Sequence, residues 1–252
     1  MDIVQTFYDN IASQYDKLFL DWQSTTREQA VILDRIFNEN GFDRSAHILD
    51  CACGIGTQSI GLAALSYHVT ASDISEGELR EARKRAEKNA VVIRFEQADF
   101  CALSKTFNEQ FDIVIAMDNA LPHMLTREAL EMAVRSILGR LGSGGIFVAS
   151  IRDYDSLLMS KPPYSPPYIH KTNEGQRVSF QTWVWKHENY LLTQYIIEDE
   201  KTLQISKFEC EYRAVRREEL TNLLLSHGCS EVLWKFPEDT GFYQPIVVAR
   251  KG

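Results

Sequence analysis

From His47 to Ser150 the chain alternates short apolar runs with helical stretches, and this rhythm restricts the fold more than any other feature. The runs His47–Cys51, His68–Asp73, Val91–Glu96, Phe111–Met117 and Gly145–Ser150 read as strands. Helices are predicted between them at Thr57–Leu65, Glu76–Lys88 and Thr126–Leu141. Ser75 caps the second helix, and Glu78 three residues on completes a capping box. Strand–helix units repeated in this way predict a parallel sheet with helices on both faces, because each crossover returns the chain in the same direction.

The flanks follow other patterns. Phe7, Ile11, Tyr15, Leu18 and Phe19 give Ile3–Leu20 a helical spacing. A second helix is expected over Thr25–Asn38, capped by Ser24 or Thr25 and striped by Ala30, Leu33, Ile36 and Phe37. After Ile151 the rhythm breaks. Lys161–Tyr168 holds four of the seven prolines and cannot be a helix or a central strand. Val178–Trp185, Tyr190–Ile197 and Thr202–Tyr212 are strand-like, joined by polar turns at 186–189 and 198–201. Alternation slips near Lys207–Phe208, which predicts a bulge. A helix at Arg217–Ser226 and strands at Cys229–Phe236 and Pro245–Arg250 close the chain. The organisation expected is an N-terminal helical lid (1–44), an α/β domain (45–150 and 207–252) and an antiparallel insertion (151–206) capping a substrate.

The net charge of −8 argues against nucleic acid as a partner, since an acidic surface repels phosphate backbones. The basic run Arg80–Lys88 is interleaved with glutamates and reads as a solvated helix face. Cysteines at 51, 53, 101, 210 and 229 match no zinc spacing, so no metal is expected. With no basic-then-apolar leader and no long apolar run, a cytoplasmic protein without a membrane partner is expected. Assembly as a homo-oligomer is left open.

Chemistry concentrates at the ends of the first four strands. Asp50, Cys51, Ala52, Cys53, Gly54, Ile55 and Gly56 form a strand end and a glycine turn, where the backbone can bend and a ligand can approach without Cβ interference. Asp73, with Ile74 behind it, ends the second strand 19 residues after Gly54, at a spacing that suits a carboxylate on a ribose diol. Asp99 and Phe100 follow the third strand and can accept from and cover an adenine; Met117 and Asn119 end the fourth. A dinucleotide-dependent oxidoreductase shares the first two features, but its third glycine is replaced by Ser59.

These residues, in this order, resemble the class I S-adenosylmethionine-dependent methyltransferases over roughly 45–150 and the C-terminal strands. The resemblance implies a Rossmann-like, seven-stranded, mostly parallel sheet and S-adenosylmethionine as cofactor. The segment Asn119–Met124 and the run Arg152–Asp155, followed by an antiparallel insertion, are similar to the glycine N-methyltransferase family. That likeness implies that Arg152 clamps an acceptor carboxylate, with His123 and Tyr212 beside it as groups able to take a proton. It also implies that Tyr8, Tyr15 and Trp22–Arg27 close over the cofactor. Thr25 stands where the family has a cofactor-clamping arginine, with Arg27 as a stand-in, and Leu18 or Phe19 where it has a tyrosine. The expected activity is methyl transfer to a small molecule, such as the amine of glycine or sarcosine. An NAD(P)-dependent oxidoreductase and a non-catalytic cofactor-binding regulator are the alternatives. Arg152 pairing with Asp153 or Asp155, and Trp183 with Trp185 serving as core or interface, are the plainer readings of those residues.

Overall fold

Period-two burial on both faces of the strands explains the central sheet. A computed structural model describes residues 3–171, 175–199 and 202–252. Its first sheet holds β1 (His47–Asp50), β2 (His68–Asp73), β3 (Arg94–Gln97), β4 (Phe111–Ala116), β5 (Leu141–Ser150), β10 (Cys229–Lys235) and β11 (Ile246–Lys251), in the order β10-β11-β5-β4-β1-β2-β3. β3, β2, β1, β4 and β5 run parallel, while β11 lies antiparallel to β5 and β10 antiparallel to β11. Val114, Ala116, Phe147, Ala149, Val247 and Ala249 point to one face, against α5 (Arg127–Leu138) and α7 (Arg217–Ser226). Ile113, Ile115, Ile146, Val148, Ile246 and Val248 point to the other, against α2 (Trp22–Glu39) and α3 (Thr57–Ala64). Such side chains contribute about 1.5–3 kcal/mol each when fully buried. This is the Rossmann-like, mostly parallel seven-stranded sheet that was expected.

β4 and β1 are neighbours although the strands that follow them diverge to opposite sides. Their carboxyl ends therefore open a crevice, which is where sheets of this kind bind ligands.

The second sheet is antiparallel, in the order β6 (Tyr168–Lys171), β7 (Gln176–Lys186), β8 (Asn189–Asp199) and β9 (Leu203–Arg213). β6 was not expected. It emerges from the proline-rich segment as an edge strand, the position where proline is tolerated. The bulge predicted at Lys207–Phe208 is absent: β8 and β9 pair without a break from Asn189↔Arg213 to Asp199↔Leu203. β9 stays on this sheet through Arg213, so residues 207–213 lie there and not with the first sheet. Of the turn expected at 198–201, residues 200 and 201 lie outside the described residues. An unexpected short helix, α6 (Tyr154–Ser160), links the sheets, capped by Asp153.

At the N-terminus, α1 (Ile3–Ile11) passes into a 3₁₀ segment over Ala12–Leu18. α2 starts at Trp22, earlier than expected, because Asp21 and not Ser24 or Thr25 accepts from the backbone N–H groups of Gln23 and Ser24. Two glycines set how closely this region docks. A Cβ on Gly61 of α3 would come within 2.5 Å of the Thr26 carbonyl oxygen on α2. One on Gly77 of α4 (Glu76–Lys88) would come within 2.8 Å of Asp9 on α1. Asp9 occupies that gap, accepting from Gly77 N and Ser75 Oγ.

Candidate active site

The glycine turn after β1 is built as the sequence predicts. Gly54 and Gly56 have φ of 51° and 88°, both in the left-handed region that suits glycine. Asp73 pins the turn, accepting from Gly54 N and from Ser75 N, each at 2.9 Å. That second bond alters the capping box. Ser75 Oγ accepts from Glu78 N, but the reciprocal bond goes to Asp73, and both Glu78 carboxyl oxygens are buried without a partner.

Asp50 is fully buried at the end of β1 and accepts from Ser59 Oγ at 2.6 Å. Burial pushes its carboxyl up to about 7, against the hydrogen bonds that favour the charged form. Ala52 and Ile74 are half-buried beside the turn and Asp73. Asp99 is exposed and accepts from Cys101 N, capping a 3₁₀ turn, while Phe100 packs its ring on the core. The Met117 side chain lies in the core and does not face the crevice.

Past β4 the backbone turns through two left-handed residues, Asp118 (φ 54°) and Asn119 (φ 70°). Asp118 accepts from Gln58 Nε2 at 2.8 Å and from Tyr243 Oη at 2.9 Å. Asn119 Oδ1 accepts from Arg152 N and Tyr154 Oη. Its Nδ2 is buried with no partner among the described residues, which is costly unless a ligand accepts from it.

Arg152 follows β5 and reaches towards the second sheet. It donates from Nη1 to Tyr190 Oη at 3.1 Å and from Nη2 to Gln181 Oε1 at 2.9 Å, and lies 5.0 Å above the Trp183 ring. The plainer reading of Arg152 is ruled out, because Asp153 and Asp155 both pair with Arg217. Among the described residues no carboxylate pairs with Arg152. A guanidinium has five N–H donors, so an incoming acid finds several free.

Tyr8 reaches the same place from α1. Its Oη lies 2.8 Å from His123 Nε2 and 3.4 Å from Tyr212 Oη. The His123 ring is tilted against Tyr212, with centroids 4.2 Å apart. Burial holds the His123 imidazole down to about 3, so it is neutral at ordinary pH. Burial pushes the phenols of Tyr8, Tyr15 and Tyr212 up, so they stay protonated. Tyr15 sits 6.3 Å from Tyr8, centroid to centroid.

These side chains surround a cavity of about 1180 Å³ between the N-terminal helices, the ends of β4 and β5, and the second sheet. Tyr8, Tyr15, Asn119, Arg152 and Tyr212 line it; Asp73 and Asp99 lie outside its lining. Trp183 lines it too, while Trp185 packs on Tyr190. Among the sequence-predicted site residues, Met117 lies away from this cavity, and so does Arg27. It is exposed on α2, whose cavity side is formed by Thr25, Glu28, Gln29 and Ile32. Tyr190, Gln181 and Tyr243 were missed. Each acts through a partner remote in sequence, and no local motif marks them.

Residues 48–145 match the family model of a methyltransferase domain. The chain is 27% identical over 154 residues to a glycine/sarcosine N-methyltransferase of Parasynechococcus marenigrum, covering 61% of this chain and 53% of that one. It is 33% identical over 156 residues to a demethylmenaquinone methyltransferase of Leptospira interrogans, covering 58% of each. The chain thus spans little more than half the length of these relatives. An S-adenosylmethionine-dependent methyltransferase from Clostridium acetobutylicum has the same fold, with a TM-score of 0.75 at 18% identity over 97% of this chain and 99% of that one. Over residues 48–145 the chain thus matches a methyltransferase domain, shares the fold of an S-adenosylmethionine-dependent methyltransferase and resembles the glycine N-methyltransferases.

Proposed function

We propose that this protein transfers the methyl group of S-adenosylmethionine to the amine of a small molecule that also carries a carboxylate. The carrying observation is Arg152, a guanidinium without a carboxylate partner, oriented by Tyr190 and Gln181 on the wall of the cavity beneath the lid. Similarity to glycine/sarcosine N-methyltransferases supports the same acceptor class, while the demethylmenaquinone methyltransferase match keeps the acceptor from being read off similarity alone.

The cofactor fits the residues present. The left-handed Gly54 and Gly56 leave room for a close approach, Asp73 can accept from a ribose diol, and Asn119 Nδ2 has no other partner among the described residues. Asp50 and Ala52 would border the methionyl end, Asp99 and Phe100 the adenine. S-adenosylmethionine supplies a methyl carried on a sulfonium, an electrophile that needs no further activation.

The task of the chain is alignment and exclusion of water. Arg152 fixes the acceptor carboxylate, and Tyr8, Tyr15 and Tyr212 close over the reacting centre as neutral phenols. An amine needs only to arrive unprotonated. An imidazole that stays neutral down to about pH 3 is a weak base, so His123 serves to orient Tyr8. Cys51, Cys53 and Cys229 are free thiols, in keeping with a cytoplasmic location.

Binding tests the reading directly. S-adenosylhomocysteine at millimolar concentration should raise the melting temperature, because a ligand selective for the folded state stabilises it by mass action. NADH should not. The opposite pattern would sink the methyltransferase reading.

A further inference from the structure

The cavity is larger than its simplest occupants. Pockets for drug-sized ligands run to about 300–1,000 Å³, and this one reaches about 1180 Å³. The nucleoside end of the cofactor does not account for the excess, since Asp73 and Asp99 lie outside the lining. Glycine beside a methionyl arm would leave most of it unfilled.

The extra space runs along the inner face of the second sheet. Gln181, which holds Arg152, lies four residues from Arg177 on β7, or ~13 Å at ~3.3 Å per residue. Opposite Arg177 on β6 stands His170. It borders the cavity, is 5% exposed, and neither ring nitrogen has a hydrogen-bond partner among the described residues. A buried imidazole left so is costly unless a ligand satisfies it. Burial, with Arg177 opposite, holds it below the usual imidazole range, so it carries one donor and one acceptor nitrogen. Between Arg152 and His170 the wall includes Ser179, and Phe19 and Tyr168 add apolar surface.

We propose that the acceptor is an amino acid with a side chain of aromatic size and a polar tip, its carboxylate on Arg152 and its tip hydrogen-bonded to His170. This rests on the carboxylate-clamp reading above and replaces glycine as the best acceptor. Phe19 is part of that account. Its apolar ring, on the cavity wall, faces an apolar ligand body.

The test is a calorimetric titration of the complex with S-adenosylhomocysteine, using glycine, phenylalanine and tyrosine as probes. Phenylalanine should bind at least tenfold tighter than glycine, and tyrosine at least tenfold tighter than phenylalanine. In His170→Phe, tyrosine should fall to the level of phenylalanine while phenylalanine is unchanged. A thermal melt with S-adenosylhomocysteine checks the fold of the variant, and the wild-type ladder stands without it. Equal affinities for glycine and the larger acids, or no binding of any of the three, overturn the proposal. In His170→Phe, equal loss for phenylalanine and tyrosine overturns it as well. Failure of the wild type to bind S-adenosylhomocysteine at all is a separate outcome, which removes the methyltransferase reading and this proposal with it.

Discussion

The two ends of the crevice are made differently. At the end proposed for the nucleoside, Gly54, Asp73 and Asp99 follow consecutive strands, and the two carboxylates accept from backbone N–H groups 2 or 19 residues away. At the acceptor end, Tyr8, His123, Arg152, Tyr190 and Tyr212 arrive from separate segments, and contacts span 115 and 204 residues. Backbone conformation holds the first region, and each side chain there is oriented largely on its own. Mutual side-chain contacts hold the second, so each group owes its position to another. Substitutions at the acceptor end should therefore couple, while those at the nucleoside end should act nearly independently.

Arg152→Lys should expose that contrast most strongly. Lysine keeps the charge but loses the planar fork that Tyr190 and Gln181 orient. Once an acceptor is in hand, its KM should rise at least ~30-fold, equivalent to ~2 kcal/mol and at the lower edge of breaking a buried charge pair. Affinity for S-adenosylhomocysteine should move less than about twofold, within the near-additivity of separate sites. If KM rises and cofactor affinity falls together, the two ends are one coupled unit and the contrast fails. Asp73→Asn comes next. Asparagine offers one acceptor oxygen to two N–H groups and loses the charge that strengthens bonds to a diol. Cofactor affinity by calorimetry should drop at least tenfold, in line with the ~1.5–3 kcal/mol of a charged hydrogen bond. Unchanged affinity would make Asp73 a turn-pinning residue only.

The same contrast explains what the sequence made legible. Period-two and period-3.6 patterns are local, so the parallel strands, α3, α4, α5 and α7 were all readable. Asp73 was legible because its spacing from Gly54 is fixed by one strand–helix–strand unit. β6 was not, because proline hides a strand that survives only by lying at an edge against β7. Gln181 and Tyr190 were not legible either, since their meaning depends on the register of β7 and β8 against Arg152. The outward placement of Arg27 was not legible for a related reason: a helix start displaced to Trp22 by Asp21 says nothing about which residues α3 and the cavity leave facing outwards.

A smaller effect is expected at Asp50, where the fully buried carboxyl carries a pH signature. Folding raises it from the ordinary 3.8 to about 7. Between those values the folded state holds a proton that the unfolded chain has lost, so stability contributed by Asp50 falls as pH rises from 4 to 7. Asp50→Asn is neutral throughout. Its unfolding free energy relative to wild type should therefore climb between pH 5 and pH 8, by an amount on the order of 1–3 kcal/mol at ~1.36 kcal/mol per pKa unit, read by denaturant titration. A flat difference across that range would mean that the bond from Ser59 keeps Asp50 ionised in the fold.

The smallest effect distinguishes the lid as built from the lid as first read. Arg27 is exposed on α2 and outside the cavity lining, whereas Asp9 on α1 bonds the start of α4 through Ser75 and Gly77. Arg27→Ala removes a solvated charge and should change stability by less than ~0.5 kcal/mol, as surface substitutions do. Its effect on S-adenosylhomocysteine affinity should be less than twofold by the same reasoning. Screening would blunt even a long-range attraction to the cofactor, so a titration at about 0.01 M salt gives Arg27 its best chance to act. A loss of tenfold or more there would require α2 to turn Arg27 inwards when ligand binds. In that case Gly61 should report the movement: the close approach of α2 and α3 at Thr26 would have to open, and Gly61→Ala, barred by contact in this arrangement, would be tolerated in the complex.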